Sequence, residues 1–367
     1  MKSIPVRFNR RRQVVIRRAL SVALITTSVA HLSAMAAKVP GIYYGIATES
    51  SEYCNAQVQG AKAVADSVNT KLNVLVSEFQ GQKFLQDYGA IFSAGCKDCV
   101  AMMDPVSNAF TKAIVDRASR ADAKVITFWN RPENIHPWDT APQSWVAHIS
   151  FDGVDSGYQN GMALCKAIGG TGGVLVLQGV ADNPPTKQRF AGFQRAMKEC
   201  PGMTILDNQY ADWGQTKAQT IVRGQLAKYG DKVKGVFSEN DLMALGALAA
   251  LREKGLAGKV PVTGSDGQSD VLRLIKSGEI VSTMKVDGAA LGAVSTALAY
   301  GVVTGDIDLA KLTHAQRSFY LKQTLVTKSN VDQFLDKKFD PSEFTYQKLK
   351  GDMWTYSSGP ITDSANK

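Results

Sequence analysis

The sequence predicts an α/β protein built as two doubly wound parallel-sheet lobes, and three observations carry that expectation. Short β-rich runs alternate with longer amphipathic segments along most of the chain. The alternation completes one four-strand unit, is interrupted before residue 150, and then starts again. About 330 residues remain once a leader-like N-terminus is set aside, more than one hydrophobic core ordinarily serves.

The N-terminus reads as a secretory signal peptide over residues 1–36. Lys2, Arg7, Arg10, Arg11, Arg12, Arg17 and Arg18 fill its basic region with no acidic residue among them, and an apolar run over 19–30 follows. Ser33, Ala34, Ala36 and Ala37 supply the small residues of a cleavage site, expected after Ala36. The apolar run is shorter than the roughly 20 residues a bilayer crossing needs, so removal is expected rather than anchoring. Arg11-Arg12 also resembles a twin-arginine signal. The full chain is +9, but the leader holds seven basic residues and no acidic one, so the mature chain is only +2. That balance gives no support for nucleic-acid binding.

In the first unit, strands are expected at 42–47, 72–77, 99–103 and 124–129, with helices at 56–68 and 109–120. The stretch 131–148, rich in Pro and Trp without a clear period, reads as a long loop near the lobe boundary. In the second unit, helices are expected at 157–168, 189–199, 215–229, 243–254 and 271–277. Strands at 174–178, 204–209, 235–238, 260–264 and 281–286 alternate with them. A helix at 289–301 and one extended run at 319–326 follow. Residues 331–367 break the pattern, being Lys-rich and aromatic, and are too short for a core of their own. They read as an extension strapped onto the body.

In open α/β sheets, ligands bind beyond the carboxyl ends of the strands. Those positions here carry Ser51 and Tyr53, Asp104, Asn130 and Arg131, Asp182 and Asn183 followed by Arg189, Trp213, Asn240, and Asp266. Carboxylates, amides and Arg each bond adjacent hydroxyls, and an aromatic ring covers the C–H face of a sugar. Any one Asp, Asn or Ser in such a place is also an ordinary helix cap. Their recurrence at most strand ends favours the ligand reading.

Other chemistries find little footing. The four histidines, His31, His136, His148 and His314, show no metal spacing, and no G-x-S-x-G elbow occurs. No carboxylate pair stands out as acid and base, and neither metal nor cofactor is expected. Gly169–Gly173 precedes a strand rather than joining a strand to a helix, so a tight turn fits better than a phosphate loop. Cys96 and Cys99 bracket a strand start rather than a helix N-terminus, which favours a structural disulfide or buried thiols over redox chemistry. Cys165 and Cys200 lie on helices flanking one strand and could pair.

These residues resemble the ribose/galactose-type periplasmic binding protein family, which shares its fold with LacI-type repressors. The resemblance runs from about Tyr43 to about Lys328. Its most specific segment is Gly235-Val-Phe-Ser-Glu-Asn-Asp-Leu-Met-Ala-Leu-Gly-Ala247, close to the family's F-x-x-N-D-x-M-A-L-G-A signature. Val262-Thr-Gly-Ser-Asp-Gly267 and Phe128-Trp-Asn-Arg-Pro132 are similar to two further family segments, and Gly179 to Gln194 matches the ribose-binding loop and helix without a gap. The resemblance implies that Asn130, Arg131, Arg189, Asn240 and Asp266 bond sugar hydroxyls, with Trp213 and Tyr53 as stacking aromatics. Asp104 falls where the family often has Asn. Cys54 stands for a second aromatic, Ser51 for an Asn, and Val286 for the Gln of ribose binders, so ribose itself is not the expected sugar.

The implied architecture is the type I periplasmic binding fold with three crossings near residues 150, 286 and 315. One lobe would comprise 37–151 and 287–315, the other 152–286 and 316–330, with ligand closing the hinge between them. The implied protein is periplasmic, monomeric and not an enzyme, and hands a small-molecule sugar to an ABC permease in the inner membrane. LacI-type regulators are the alternative class, but they carry an N-terminal helix-turn-helix where this chain has its leader pattern. A receptor-linked sensor of the same ligand would read identically.

Overall fold

The structure, a computed structural model, describes residues 39 and 41–362. The expected leader and its cleavage point near Ala36 lie outside the described residues. Strands and helices alternate from the start: β1 (Ile42–Ile46), α1 (Glu52–Ser67), β2 (Leu72–Val76), α2 (Gly81–Ser93), β3 (Val100–Met103), α3 (Asn108–Arg120), β4 (Lys124–Phe128), the one-turn α4 (Pro137–Thr140) and β5 (Trp145–Ser150). The second run is α5 (Gly153–Ala167), β6 (Thr171–Gln178), α6 (Pro184–Glu199), β7 (Gly202–Tyr210), α7 (Gln215–Tyr229), β8 (Val233–Ser238), α8 (Asp241–Glu253), β9 (Thr263–Asp266), α9 (Ser269–Ser277) and β10 (Ser282–Val286). After it come α10 (Gly288–Val303), the one-turn α11 (His314–Arg317), β11 (Ser318–Leu321), β12 (Gln323–Thr327), α12 (Tyr346–Asp352) and β13 (Ser357–Pro360).

The first sheet has the order β13-β11-β5-β4-β3-β1-β2, parallel except for its edge strand β13. The second lobe runs β7-β6-β8, then β9-β10-β12, the two halves joined by a parallel bridge between Val236 and Val262. Its last strand, β12, is antiparallel to β10. Parallel strands covered on both faces need apolar residues at successive positions. Accordingly β3 and β5 are buried at every position. Helix α10 is apolar on all sides and buried from Gly288 to Gly301, the expected state of a helix packed within a lobe rather than on it.

Three expectations need correction. Residues 131–148 are not all loop, because Trp145–Ser150 forms the strand β5 near the middle of the first sheet. The strand is only six residues long and is preceded by Pro137 and Pro142, which hide it from a periodicity reading. What holds its entry is distant in sequence: Arg317, 5 % exposed, donates Nε to the Val146 carbonyl and Nη2 to those of Pro137, Pro142 and Trp145.

Second, the extended run at 319–326 is two strands in different sheets. Ser318–Leu321 pairs with β5 and β13 in the first lobe, and only from Gln323 does the chain pair with β10 in the second. The third crossing therefore falls at Lys322, not near 315, and 318–321 belong to the first lobe. The four residues of β11 are all buried while Lys322 is exposed, which is the signature of a central strand ending at a hinge.

Third, the chain crosses four times rather than three. Val331, Phe334 and Leu335 pack on the core of the second lobe, whereas Tyr346, Leu349 and Met353 are buried in the first. The C-terminal strand then closes the edge of the first sheet, with Ser358 donating to the carbonyls of Tyr320 and Leu321 beside the third crossing.

Disulfides join Cys96 to Cys99 and Cys165 to Cys200, and Cys54 is a buried free thiol. The second bridge ties the end of α5 to the end of α6 across 35 residues. Closing a loop of that length restricts the unfolded chain by about 3–4 kcal/mol. Cys165→Ser with Cys200→Ser is accordingly expected to lower the urea midpoint and, because the freed unfolded chain expands, to raise m, as read by circular dichroism; an unchanged midpoint would contradict the assigned bridge.

Candidate ligand-binding cleft

The first two crossings end in capped helices that face the space between the lobes. Asp152 accepts from the amides of Val154 and Asp155 to start α5, and Asp287 from Ala290 to start α10. Gln323, at the third crossing, donates Nε2 to the Asp152 carbonyl and the Asp155 carboxylate, so two hinge segments are tied together. At the opposite rim the lobes meet directly. The Glu52 carboxylate, at the start of α1, accepts from both the amide (2.6 Å) and the hydroxyl (2.5 Å) of Ser269, at the start of α9. Asn183 of the second lobe donates Nδ2 to the Val106 carbonyl of the first at 3.1 Å. The lobes are closed on each other.

Between them lies a cavity of about 90 Å³. At about 10–15 Å³ per water-sized probe, it holds several waters or one small molecule. Eight of the nine site residues expected from the sequence line it: Ser51, Tyr53, Asp104, Asn130, Arg189, Trp213, Asn240 and Asp266. They reach it from the ends of strands in both lobes, as expected of open α/β sheets.

Arg189 is the centre of the arrangement. Its Nη1 donates to the Glu239 carbonyl at 2.5 Å, and its guanidinium lies 5.3 Å from the ring of Trp129 and 5.6 Å from that of Trp213, one indole from each lobe. Nε has no partner within the protein and is buried. Two glycines permit this placement. A Cβ at Gly157 would collide with the Arg189 carbonyl, so α5 and α6 approach closely only because the side chain is missing; one at Gly179 would collide with the Trp213 ring.

Trp129, Trp213 and Asp266 all adopt positive φ, at 55°, 63° and 132°. Each such non-glycine residue costs of order 1–3 kcal/mol, and the surrounding structure holds three of them at one cavity. Trp129 donates Nε1 to the Tyr53 hydroxyl at 3.1 Å and packs with Tyr53 and Phe151 as one aromatic wall.

The carboxyl groups sit in low-dielectric surroundings. Burial pushes Asp104 up to about 7, although Asn130 Nδ2 donates to it at 2.7 Å. Asp266 is raised by burial and by the neighbouring charge of Asp241, with Arg189 opposing. Behind the wall, burial also raises Asp241, which accepts from Thr283 and the Gln268 amide, and Glu239, which accepts from the Gly179 amide.

Two members of the set also act as the caps that their positions allowed. Ser51 Oγ accepts from the Cys54 amide and Asn240 Oδ1 from the Met243 amide, so each starts a helix while lining the cavity. Arg131 is the exception and needs correction. Its guanidinium turns out of the cleft, and Nη1 is wrapped by the carbonyls of Pro132, Glu133 and Ile135 and by His136 Nδ1. It lines a separate cavity of about 230 Å³ together with His148, Ser150 and Lys187. The reason is local: the turn after Asn130 brings three carbonyls to a side chain that needs them. Arg131→Ala is expected to lower the melting temperature, by the equivalent of about 1–3 kcal/mol, and to leave ligand affinity within about twofold by calorimetry.

Sequence reasoning missed Trp129 and did not commit to Asn183, both of which line the cavity. The sequence pattern extends the strand to 129 and so places Trp129 inside it, whereas β4 ends at Phe128 and leaves Trp129 at the strand end. Cys54, which stands where the family has a second aromatic, adds apolar lining, as do Phe79 and Leu242, which carry no signal in the sequence. Among the described residues, no cluster of His, Cys, Asp and Glu fits a metal ion.

Two doubly wound lobes closed over one polar and aromatic cavity define a protein that holds a small molecule between its halves. The chain belongs to the periplasmic binding protein domain family, whose profile matches residues 42–307, and has the type I periplasmic binding fold. It is 30% identical over 266 residues to the ribose import binding protein of Salmonella typhimurium, covering 72% of this chain and 86% of that protein. The ribose import binding protein of Haemophilus influenzae is 29% identical over 253 residues, or 69% and 82% of the two chains. A crystal structure of a twin-arginine translocation pathway signal protein from Burkholderia phytofirmans superposes with a TM-score of 0.82 at 35% identity, covering 88% of this chain and 98% of that one.

Proposed function

We propose that this protein is an extracytoplasmic solute-binding protein that captures a small polyol, a monosaccharide or a close derivative, and presents it to an ABC permease. The observation that carries the reading is the buried Arg189, held between an indole of each lobe with Nε unpartnered, in a cavity that also presents Asp104 and Asp266 from opposite lobes. Arg and carboxylate groups bond vicinal hydroxyls, and aromatic faces cover the ring. The similarity to ribose import binding proteins supports the same class of ligand and the import role. The protein acts in the periplasm as a monomer, and the closed lobes together are the surface the permease recognises. It binds rather than transforms, in keeping with the binding-protein family to which it belongs. The family match favours this reading over a ligand-sensing regulator.

A thermal-shift screen of pentoses, hexoses and cyclitols, followed by calorimetry on the hits, tests it. One or more polyols are expected to bind at micromolar or tighter affinity with a stoichiometry of one. A screen in which no polyol raises the melting temperature, while amino acids or peptides do, overturns it.

A further inference from the structure

Two buried amide oxygens of the cavity lack a donor. Four of its side-chain nitrogens already donate within the protein: Asn130 Nδ2 to Asp104, Asn183 Nδ2 to the Val106 carbonyl, Asn240 Nδ2 to the Trp213 carbonyl, and Trp129 Nε1 to the Tyr53 hydroxyl. Asn130 Oδ1 and Asn183 Oδ1 are buried without a partner, and both residues line the cavity, each at least nine-tenths buried. The carboxyls of Asp104 and Asp266 stand on the same walls.

Charge is unbalanced in the same sense. Arg189 is the one cationic side chain lining the cavity among the described residues, and Arg131 faces elsewhere. Against that single guanidinium stand Asp104 and Asp266 in the wall and Glu239 and Asp241 directly behind it. Burial holds all four carboxyls above their usual range, and Arg189 opposes it at Glu239, Asp241 and Asp266. A neutral sugar brings hydroxyls, each with one donor and two acceptor sites, and so adds more acceptor than donor. An ammonium group brings three donors, no acceptor and a full positive charge. The aromatic wall of Tyr53, Trp129 and Trp213 also suits a cation.

We propose that the ligand is a small polyol carrying one ammonium group, an amino sugar or an aminated cyclitol, with the ammonium facing Asp104. This rests on the reading of the cleft as a polyol site and narrows its substrate class. The same imbalance excludes uronates and sugar phosphates, whose anions would face two buried carboxyls.

Calorimetry on matched pairs tests it: D-glucosamine with D-glucose, D-galactosamine with D-galactose, D-mannosamine with D-mannose, and aminodeoxy-inositols with myo-inositol, with D-glucuronate as the anion. At least one amine is expected to bind about tenfold to a hundredfold more tightly than its hydroxyl parent, the range of one charge-assisted hydrogen bond. In Asp104→Asn, which keeps the shape and the contact with Asn130, that preference is expected to fall by about tenfold or more; circular dichroism confirms that the variant folds. A parent sugar or the uronate binding as tightly as the best amine overturns the proposal and leaves the polyol reading standing. An amine preference that survives Asp104→Asn overturns the placement of the ammonium. If no compound of either set binds, the polyol reading fails and this inference fails with it.

Discussion

Arg189→Ala is expected to weaken ligand binding about a hundredfold while the two lobes still fold. The residue is 5 % exposed and touches both halves of the protein, through Trp129 of the first lobe and Trp213 and the Glu239 carbonyl of the second. Truncation removes the unpartnered Nε that a ligand oxygen would accept from, a charge-assisted hydrogen bond contributing about 1.5–3 kcal/mol. It also removes a cation held between two rings, where desolvated pairs contribute about 2 kcal/mol or more. At roughly 1.4 kcal/mol per factor of ten, the sum corresponds to two orders of magnitude or more. Arg189→Lys keeps the charge but not the planar fork, and should recover only part of the loss. Calorimetry on each variant with the ligand found by screening decides this. Native-like affinity in Arg189→Ala would mean that the ligand does not reach this wall. Asp266→Ala should show a comparable loss, because Asp266 lines the same cavity from the end of β9.

The second large effect concerns stability without ligand. Asp104 is pushed up to about 7 by burial, against the ordinary 3.8 of an exposed aspartate. The folded protein therefore keeps the proton that the unfolded chain loses, and the sign follows. Below about pH 4 both states are protonated and Asp104 has no effect. Between about 4 and 7 the unfolded chain gains by ionising, so stability falls as pH rises, and above about 7 the penalty is complete. At about 1.4 kcal/mol per pH unit the full interval is on the order of 4 kcal/mol. Asp104→Asn removes the titration while keeping an acceptor for Asn130 Nδ2. The variant is expected to melt several degrees higher than the native chain at pH 8 and to match it near pH 4. Equal melting temperatures at both pH values would show that Asp104 is ionised at little cost in the empty cleft.

That stability is given up at the cleft is consistent with the rest of the wall. Three residues at positive φ, unpartnered amide oxygens and carboxyls short of counter-charge lie together in one cavity, whereas the sheets behind are apolar and continuous. A ligand that supplies the missing donors would convert these costs into binding free energy, and would favour the closed arrangement already seen in the Glu52–Ser269 contact.

Much of this protein is legible in its sequence because the signals are local. The β–α alternation, the restart after residue 150 and the polar residues at strand ends are written in runs of five to fifteen residues, where pleat and helix period act on adjacent side chains. Eight of nine expected site residues line one cavity for that reason: a residue just past a parallel strand is delivered to the carboxyl edge by the strand itself. Tertiary structure alone decided the rest. Trp145–Ser150 becomes a strand because β4 and β11 flank it and Arg317, 172 positions beyond Trp145, gathers its carbonyls. Ser318–Leu321 and Gln323–Thr327 read as one extended run, and only their partners β5 and β10 assign them to different lobes. Arg131 and Arg189 are both arginines after a strand, yet one is captured by the carbonyls of its own turn and the other is aimed between two indoles from different lobes. The direction of a long side chain depends on acceptors and surfaces that folding assembles from distant parts of the chain, and no local period encodes them.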